Sequence, residues 1–325
     1  MQRPNFPAPN TRTFREHRIT FDYFWTLNAA FAAMVRLATQ IAAGDGRVLL
    51  LGETGCGKLG LAIALHAASP RTHGPFVRMN VASLAASVLE AEMYGCEKGA
   101  FTGASEARKG HFRSANGGTL FIDELPELPL LLQPKLLQAI DERSVTPVGG
   151  ADAPYDARLV FATHRPLETL AGPNSPLRED LLHRVTEMVL TIPPLRERPE
   201  DIVPLFQWYL DAAKLPPTGL ARAAQHRLLA HPWPGNVREL RNTARRTTLA
   251  CAGREVQAEE IVFLPASRVP PSAPVDHGPE RMTEVRRLHV QRILAECGGN
   301  RQCAAARLGI SESGLYNLLK RYAAG

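Results

Sequence analysis

Seven residues, Gly52-Glu53-Thr54-Gly55-Cys56-Gly57-Lys58, follow the pattern G-x-x-x-x-G-K. Such a run can wrap an oligophosphate with backbone amides, aim a helix N-terminus at it and reach the terminal phosphates with the lysine. A glycine turn with no ligand is the plainer alternative, and context decides between the two. Val48 to Leu51, directly before, is wholly apolar, as in a strand buried on both faces. Leu59 to Ala67, directly after, reads as helix. Strand, glycine loop and helix in that order favour the phosphate site. A second chemical group closes the run Gly118-Thr119-Leu120-Phe121-Ile122-Asp123-Glu124. Two carboxylates at the end of a buried strand suit magnesium, held through water, and the polarising of an attacking water. An exposed acidic strand end is the bland alternative, and Lys58 weighs against it. Leu59 stands where P-loops in general carry Ser or Thr for magnesium, so metal handling rests more heavily on these two carboxylates.

These groups need a sheet to hold them. Asn28 to Ala43 reads as a helix capped by Asn28 and ended by Gly44-Asp45-Gly46. Phe76 to Met79, Thr119 to Ile122, Leu159 to Ala162 and Met188 to Ile192 are further strand candidates. Helical patterns at Ala82 to Tyr94 and Leu131 to Glu142 lie between them, and Val145 to Gly150 reads as loop. Strands alternating with helices predict an α/β fold, a parallel sheet with helices on both faces. From Arg198 the strand signals stop, and Asp201 to Ala213, Ala221 to Ala230 and Val237 to Ala252 read as helices. Residues 265–279 hold five prolines and read as a stiff linker.

With 45% apolar residues, the 325-residue chain can bury full cores for two or three domains. No apolar run is long enough to span a bilayer, and Met1 to Phe21 has no signal-peptide core. Five cysteines without zinc-like spacing fit a reducing cytoplasm. The net charge is +6, and residues 281–325 carry eight basic against three acidic residues. A surplus gathered there is the footprint of nucleic-acid contact.

Between the two chemical runs lies Gly99-Ala100-Phe101-Thr102-Gly103-Ala104, an aromatic and a hydroxyl carried between glycines. For most hexapeptides of this composition a plain turn would be the reading. This one stands verbatim in one family, and on it the chain resembles the AAA+ activators of sigma-54 RNA polymerase, the bacterial enhancer-binding proteins. The resemblance covers roughly residues 25–325. It implies an AAA+ P-loop core over 22–195 after a flexible arm (1–21), a helical lid over 196–264, the linker, and a Fis-type helix-turn-helix over 280–325.

By the same resemblance, ATP and Mg2+ are the cofactors, Asp123 is the metal residue and Glu124 the base. Asn80 is the asparagine that restrains the base until the sigma factor is engaged. Thr163 is the first sensor, with His164 replacing the usual neighbouring asparagine, and Arg238, in Trp233-Pro234-Gly235-Asn236-Val237-Arg238, is the lid arginine that senses nucleotide. Arg178 and Arg184 would read alone as surface charges; the match of Leu177-Arg178-Glu179-Asp180-Leu181 assigns them to a neighbouring subunit's site. The active species is then a ring, expected to be a hexamer. The hexapeptide touches the sigma factor, with Phe101 and Thr102 making the contact. About two dozen residues precede the motor, too few for a sensor domain, so control is expected in trans. Leu59 and His164 motivate an alternative: a DNA-binding regulator with an impaired motor, acting as repressor or as partner in a mixed ring.

In the basic segment, Arg281 to Glu296, Arg301 to Leu308 and Glu312 to Tyr322 read as helices. Ala304, Ala305, Leu308, Ile310, Leu315 and Leu319 fall where two helices pack across a tight turn, so the last enters the major groove. Arg301, Ser311, Glu312, Ser313, Tyr316, Asn317, Lys320 and Arg321 are the candidate DNA contacts. Glu312 and Ser313 stand where the family tends to be basic; an acid there either reads a cytosine amino group or weakens phosphate contact. Removing residues 281–325 is expected to abolish enhancer binding in a gel-shift assay while leaving activation at high protein concentration. Undiminished site-specific binding by the shortened chain would refute the assignment.

Overall fold

The computed structural model describes residues 19–84, 86–100, 106–213, 217–251 and 253–264, together with 301, 302 and 315. The chain divides into two units at Leu264/Pro265, and nearly all described residues belong to the first. Asn28 caps helix α1 (Ala29–Ala42), its side-chain oxygen accepting from the Phe31 amide. Strand β1 (Val48–Leu51) is buried at every residue and leads through the glycine loop to α2 (Lys58–Ala67). Then follow β2 (Phe76–Asn80), α3 (Ala86–Tyr94), α4 (Gly110–Ser114) and β3 (Thr119–Asp123). The core continues with α5 (Gln133–Glu142), a hairpin of β4 (Ser144–Val145) and β5 (Ala153–Pro154), β6 (Arg158–Thr163), α6 (Leu167–Leu170), α7 (Glu179–Val185) and β7 (Met188–Thr191).

Five strands form one parallel sheet in the order β2-β3-β6-β1-β7. The registers pair Asn80 with Asp123 and Leu51 with Thr163, so the chemistry-bearing residues share the carboxyl edge. In an open parallel sheet that edge is where ligands bind. Apolar side chains pack on both faces: Leu49, Leu120, Ile122 and Phe161 against α3, α5 and α7, and Val48, Leu50, Phe121 and Val160 against α1 and α2. The opposite edge is closed by Arg158, only 1% exposed, whose guanidinium donates to the carbonyls of Ile41, Ala42 and Gly46 at the end of α1. Those carbonyls lie at the negative end of a helix dipole, which suits a buried cation.

The five expected strands and the helices expected before residue 253 are present, with ends moved by at most four residues. The helices expected over 281–322 lie almost wholly outside the described residues. Not expected were the short helices α4, α6 and α7 and the β4–β5 hairpin, of which only Val145 falls in the expected loop: two residues per strand are too few to give an alternating pattern. The hairpin connection pins the base of the hexapeptide loop, because Val148 exchanges backbone hydrogen bonds with Gly95 and Glu97. Cys96 and Arg108 pair across that base. Gly99 and Ala100 are described, whereas Phe101 to Ala104 lie outside the described residues.

Three helices follow the sheet: α8 (Pro199–Asp211), α9 (Arg222–Ala230) and α10 (Asn236–Cys251). They close over a separate core built on Phe206, Leu240 and Trp233. Trp233 is fully buried and donates its indole N–H to the Leu228 carbonyl at 2.9 Å. No helix among the described residues is long and apolar enough to cross a membrane. Trp233→Ala is expected to cost about 3–5 kcal/mol, read as a fall in the urea midpoint. A loss under about 1 kcal/mol, within the range of surface changes, would refute this account of the lid core.

Candidate nucleotide site

The glycine loop takes conformations that L side chains disfavour, with φ of 150° at Gly52, 85° at Gly55 and 116° at Gly57. Gly57 lies at the N-cap of α2, so the first amides of that helix open onto the loop. Lys58 folds back along it, donating to the carbonyls of Gly52 at 2.7 Å and Glu53 at 3.3 Å. The loop, Asp123, Glu124 and Arg78 line a cleft of about 370 Å³ that extends beneath the lid to Tyr23, Phe24, Trp25, Trp208 and Tyr209.

Asp123 ends β3 and accepts the Glu124 amide at 3.2 Å. Burial, and then the neighbouring Glu124 charge, push its carboxyl above the usual range, against the opposing pull of Lys58 and Arg78. Glu124 sits in the left-handed region at φ 55°, which turns its side chain away from the strand direction. Its carboxylate meets the His164 imidazole at 2.7 Å, and the His164 amide lies at 3.4 Å from the same oxygen. Asn80 lies at the end of β2 beside Asp123, its buried side-chain oxygen without a hydrogen-bond partner. The group in contact with Glu124 is therefore His164, not Asn80. The buried Thr163 hydroxyl accepts the Arg165 amide.

Leu59 carries no ligand atom; it lines the cleft and packs against the α1–α2 side of the core. Cys56 is buried within the loop, and burial pushes its thiol up. A magnesium ion would find Asp123 for its protein ligand, with water and phosphate oxygens completing the shell, an arrangement ordinary for this cation. Arg178 and Arg184 are exposed, paired with Asp180 at 2.8 Å and Asp141 at 3.0 Å, and do not line the cleft. Arg301 is exposed, and the other candidate DNA contacts lie outside the described residues.

The lid reaches the loop through contacts that motif reading had not assigned. Asn236 is fully buried at φ 50°. Its side-chain oxygen accepts the Leu195 amide, and its nitrogen donates to Glu53 at 3.1 Å and to the Thr54 carbonyl at 3.2 Å. Arg196 grips the same Glu53 with two hydrogen bonds of 2.6 and 2.8 Å and thereby holds its carboxyl below the usual range. The Arg238 amide donates to the Gly55 carbonyl, while its side chain lines the cleft. A Cβ on Gly55 would stand 2.3 Å from the Gly235 carbonyl oxygen, so loop and lid turn touch backbone to backbone.

A parallel sheet of this order, a P-loop after its β1 strand, paired acids on β3 and a helical lid define an AAA+ P-loop fold. The family model of the Sigma-54 interaction domain matches residues 25–191, more than half of the chain. The AAA+ ATPase lid domain matches 196–271, and the Fis family of bacterial regulatory proteins matches 284–322. The chain belongs to the Sigma-54 interaction domain family.

It is 40% identical over 299 residues to the alginate biosynthesis transcriptional regulatory protein AlgB of Pseudomonas aeruginosa, covering 90% of this chain and 66% of that protein. It is 38% identical over 314 residues to the transcriptional regulatory protein FlbD of Caulobacter vibrioides, with coverages of 90% and 69%. The crystal structure of NtrX from Brucella abortus in complex with ATP superimposes with a TM-score of 0.66 at 29% identity, over 91% of this chain and 68% of that one. The chain thus spans about two thirds of the length of these relatives.

His164→Ala is expected to lower kcat for ATP hydrolysis about a hundredfold, the low end for a positioned acid–base group, with KM changed less than about twofold. His164→Asn, which keeps a side-chain donor, is expected to retain most activity. Equal changes in kcat and KM in both variants would count against a hold on Glu124.

Proposed function

We propose that this protein is an ATP-driven activator of sigma-54 RNA polymerase that binds upstream DNA through its Fis-type segment. One observation carries the reading. The unit that holds the P-loop cleft also carries the Gly99-Ala100-Phe101-Thr102-Gly103-Ala104 run between α3 and α4, its base tied to the β4–β5 hairpin. Membership of the Sigma-54 interaction domain family and the match of 284–322 to the Fis family support it. The NtrX complex with ATP supports a nucleotide in this cleft.

In this reading ATP supplies the anhydride bond and Mg2+ offsets phosphate charge beside Asp123. Lys58 and the loop amides hold the phosphates, and Glu124 takes the proton of the attacking water. Asn80 restrains the base until the sigma factor is engaged, Thr163 acts as the first sensor, and Arg238 senses the nucleotide from the lid. Arg178 and Arg184 stand outside their own cleft, so in this proposal they complete a neighbour's site in a ring, taken as a hexamer. The loop carries the stroke to the polymerase, with Phe101 and Thr102 in contact with the sigma factor. The working compartment is the cytoplasm, and a regulatory protein acts in trans. A second reading, a DNA-binding regulator with a weakened motor, draws on Leu59, whose packing gives magnesium no ligand.

ATP turnover per subunit is expected to rise with protein concentration and to vanish in Lys58→Ala. Thr102→Ala is expected to keep turnover and DNA binding yet abolish sigma-54-dependent transcription in a purified system. Mixing Arg178→Ala with Lys58→Ala protein is expected to restore part of the turnover. Absence of turnover at every concentration favours the second reading, and transcription by Thr102→Ala would refute the sigma contact.

A further inference from the structure

Arg198 is 3% exposed, at the N-cap of α8 and on the wall of the cleft. Its guanidinium lies 4.3 Å from the centre of the Phe31 ring. The acid nearest to it is Asp201, and the gap of 3.7 Å is too long for a hydrogen bond. Both Asp201 oxygens are engaged elsewhere, by the Leu27 amide at 2.6 Å and the Thr26 hydroxyl at 2.5 Å. The Arg198 Nε and Nη2 atoms have no hydrogen-bond partner. A buried guanidinium with idle donors is costly, because hydration has been given up and nothing replaces it.

The surroundings say what would satisfy it. Tyr23, Phe24, Trp25, Trp208 and Tyr209 line the same cleft, so a ligand there meets flat apolar walls on its faces. On its edge it meets a group that donates and cannot accept. A planar heterocycle with ring-nitrogen acceptors has both properties. The phosphate loop lines the same cleft. We infer that Arg198 is a nucleobase-reading residue, donating from Nε or Nη2 to a ring nitrogen of the purine of a bound nucleoside triphosphate. This rests on the nucleotide reading above and adds the base to it. Burial holds the guanidinium below its ordinary pKa, in keeping with a cation lacking a full partner.

Calorimetric titration of the full chain with ATP, 1-deaza-, 3-deaza- and 7-deaza-ATP and inorganic tripolyphosphate tests it. Native protein is expected to bind one deaza analogue about tenfold more weakly than ATP, the loss expected for a hydrogen bond to a charged group. Arg198→Met is expected to bind ATP about tenfold more weakly, to treat that analogue and ATP alike, and to bind tripolyphosphate as native protein does. Three results would overturn the inference: equal native affinity for ATP and all three analogues, the same analogue penalty in Arg198→Met, or a parallel loss of tripolyphosphate binding. The native series needs no substitution, so an unfolded variant leaves the question decidable. Native protein that binds neither ATP nor tripolyphosphate overturns the nucleotide reading and this inference together.

Discussion

The carboxylate of Glu53 is claimed from two sides, by the Arg196 guanidinium and by the Asn236 amide, and the P-loop is thereby fastened to the lid. Much of the cleft depends on this junction. Asn236 also fixes the Leu195 amide, and residues 195–201 then deliver Arg196 to Glu53, Arg198 to the cleft wall and Asp201 to the chain at Thr26 and Leu27. Gly55 and Gly235 allow an approach that any side chain would block. The lid is thus joined to the sheet by charge-assisted hydrogen bonds and glycine contact, and its apolar core is its own. Contacts of that kind can be exchanged without unfolding either partner.

The sheet contributes in a different way. Parallel pairing places Asn80, Asp123, Thr163 and the start of the P-loop at neighbouring strand ends, and the left-handed turn at Glu124 aims the second acid sideways. Its contact with His164 crosses from the end of β3 to the end of β6. Glu124 is therefore held by an adjacent strand within the same sheet. On the far side, α3 and the β4–β5 hairpin connection meet at Val148, so the hexapeptide loop is rooted in backbone hydrogen bonds.

What could be read in the sequence follows from how local each signal is. Val48 to Leu51 and Leu159 to Ala162 announce themselves because a strand buried on both faces must be apolar throughout. Lys58, Asp123 and Glu124 are legible because their chemistry is written in adjacent residues. The Glu53–Arg196–Asn236 junction joins residues more than 140 positions apart, and no periodicity links them. Leu59 reads as a lost ligand in one dimension, whereas in three it is an apolar contact to the α1–α2 core. His164 looked like a replaced sensor residue; its grip on Glu124 required the strand order to be known.

Arg158 and the Glu53 junction lie at opposite ends of the strands, one capping α1 and the other tying the P-loop to the lid. This separates two kinds of inherited damage. A lesion at Arg158 weakens the sheet from below, so the cell holds fewer folded molecules and each survivor keeps normal chemistry. A lesion at Asn236 or Arg196 spares the sheet, so the cell holds a full complement of faulty ones. The first kind shows as few molecules with an intact cleft, the second as many molecules with an altered one.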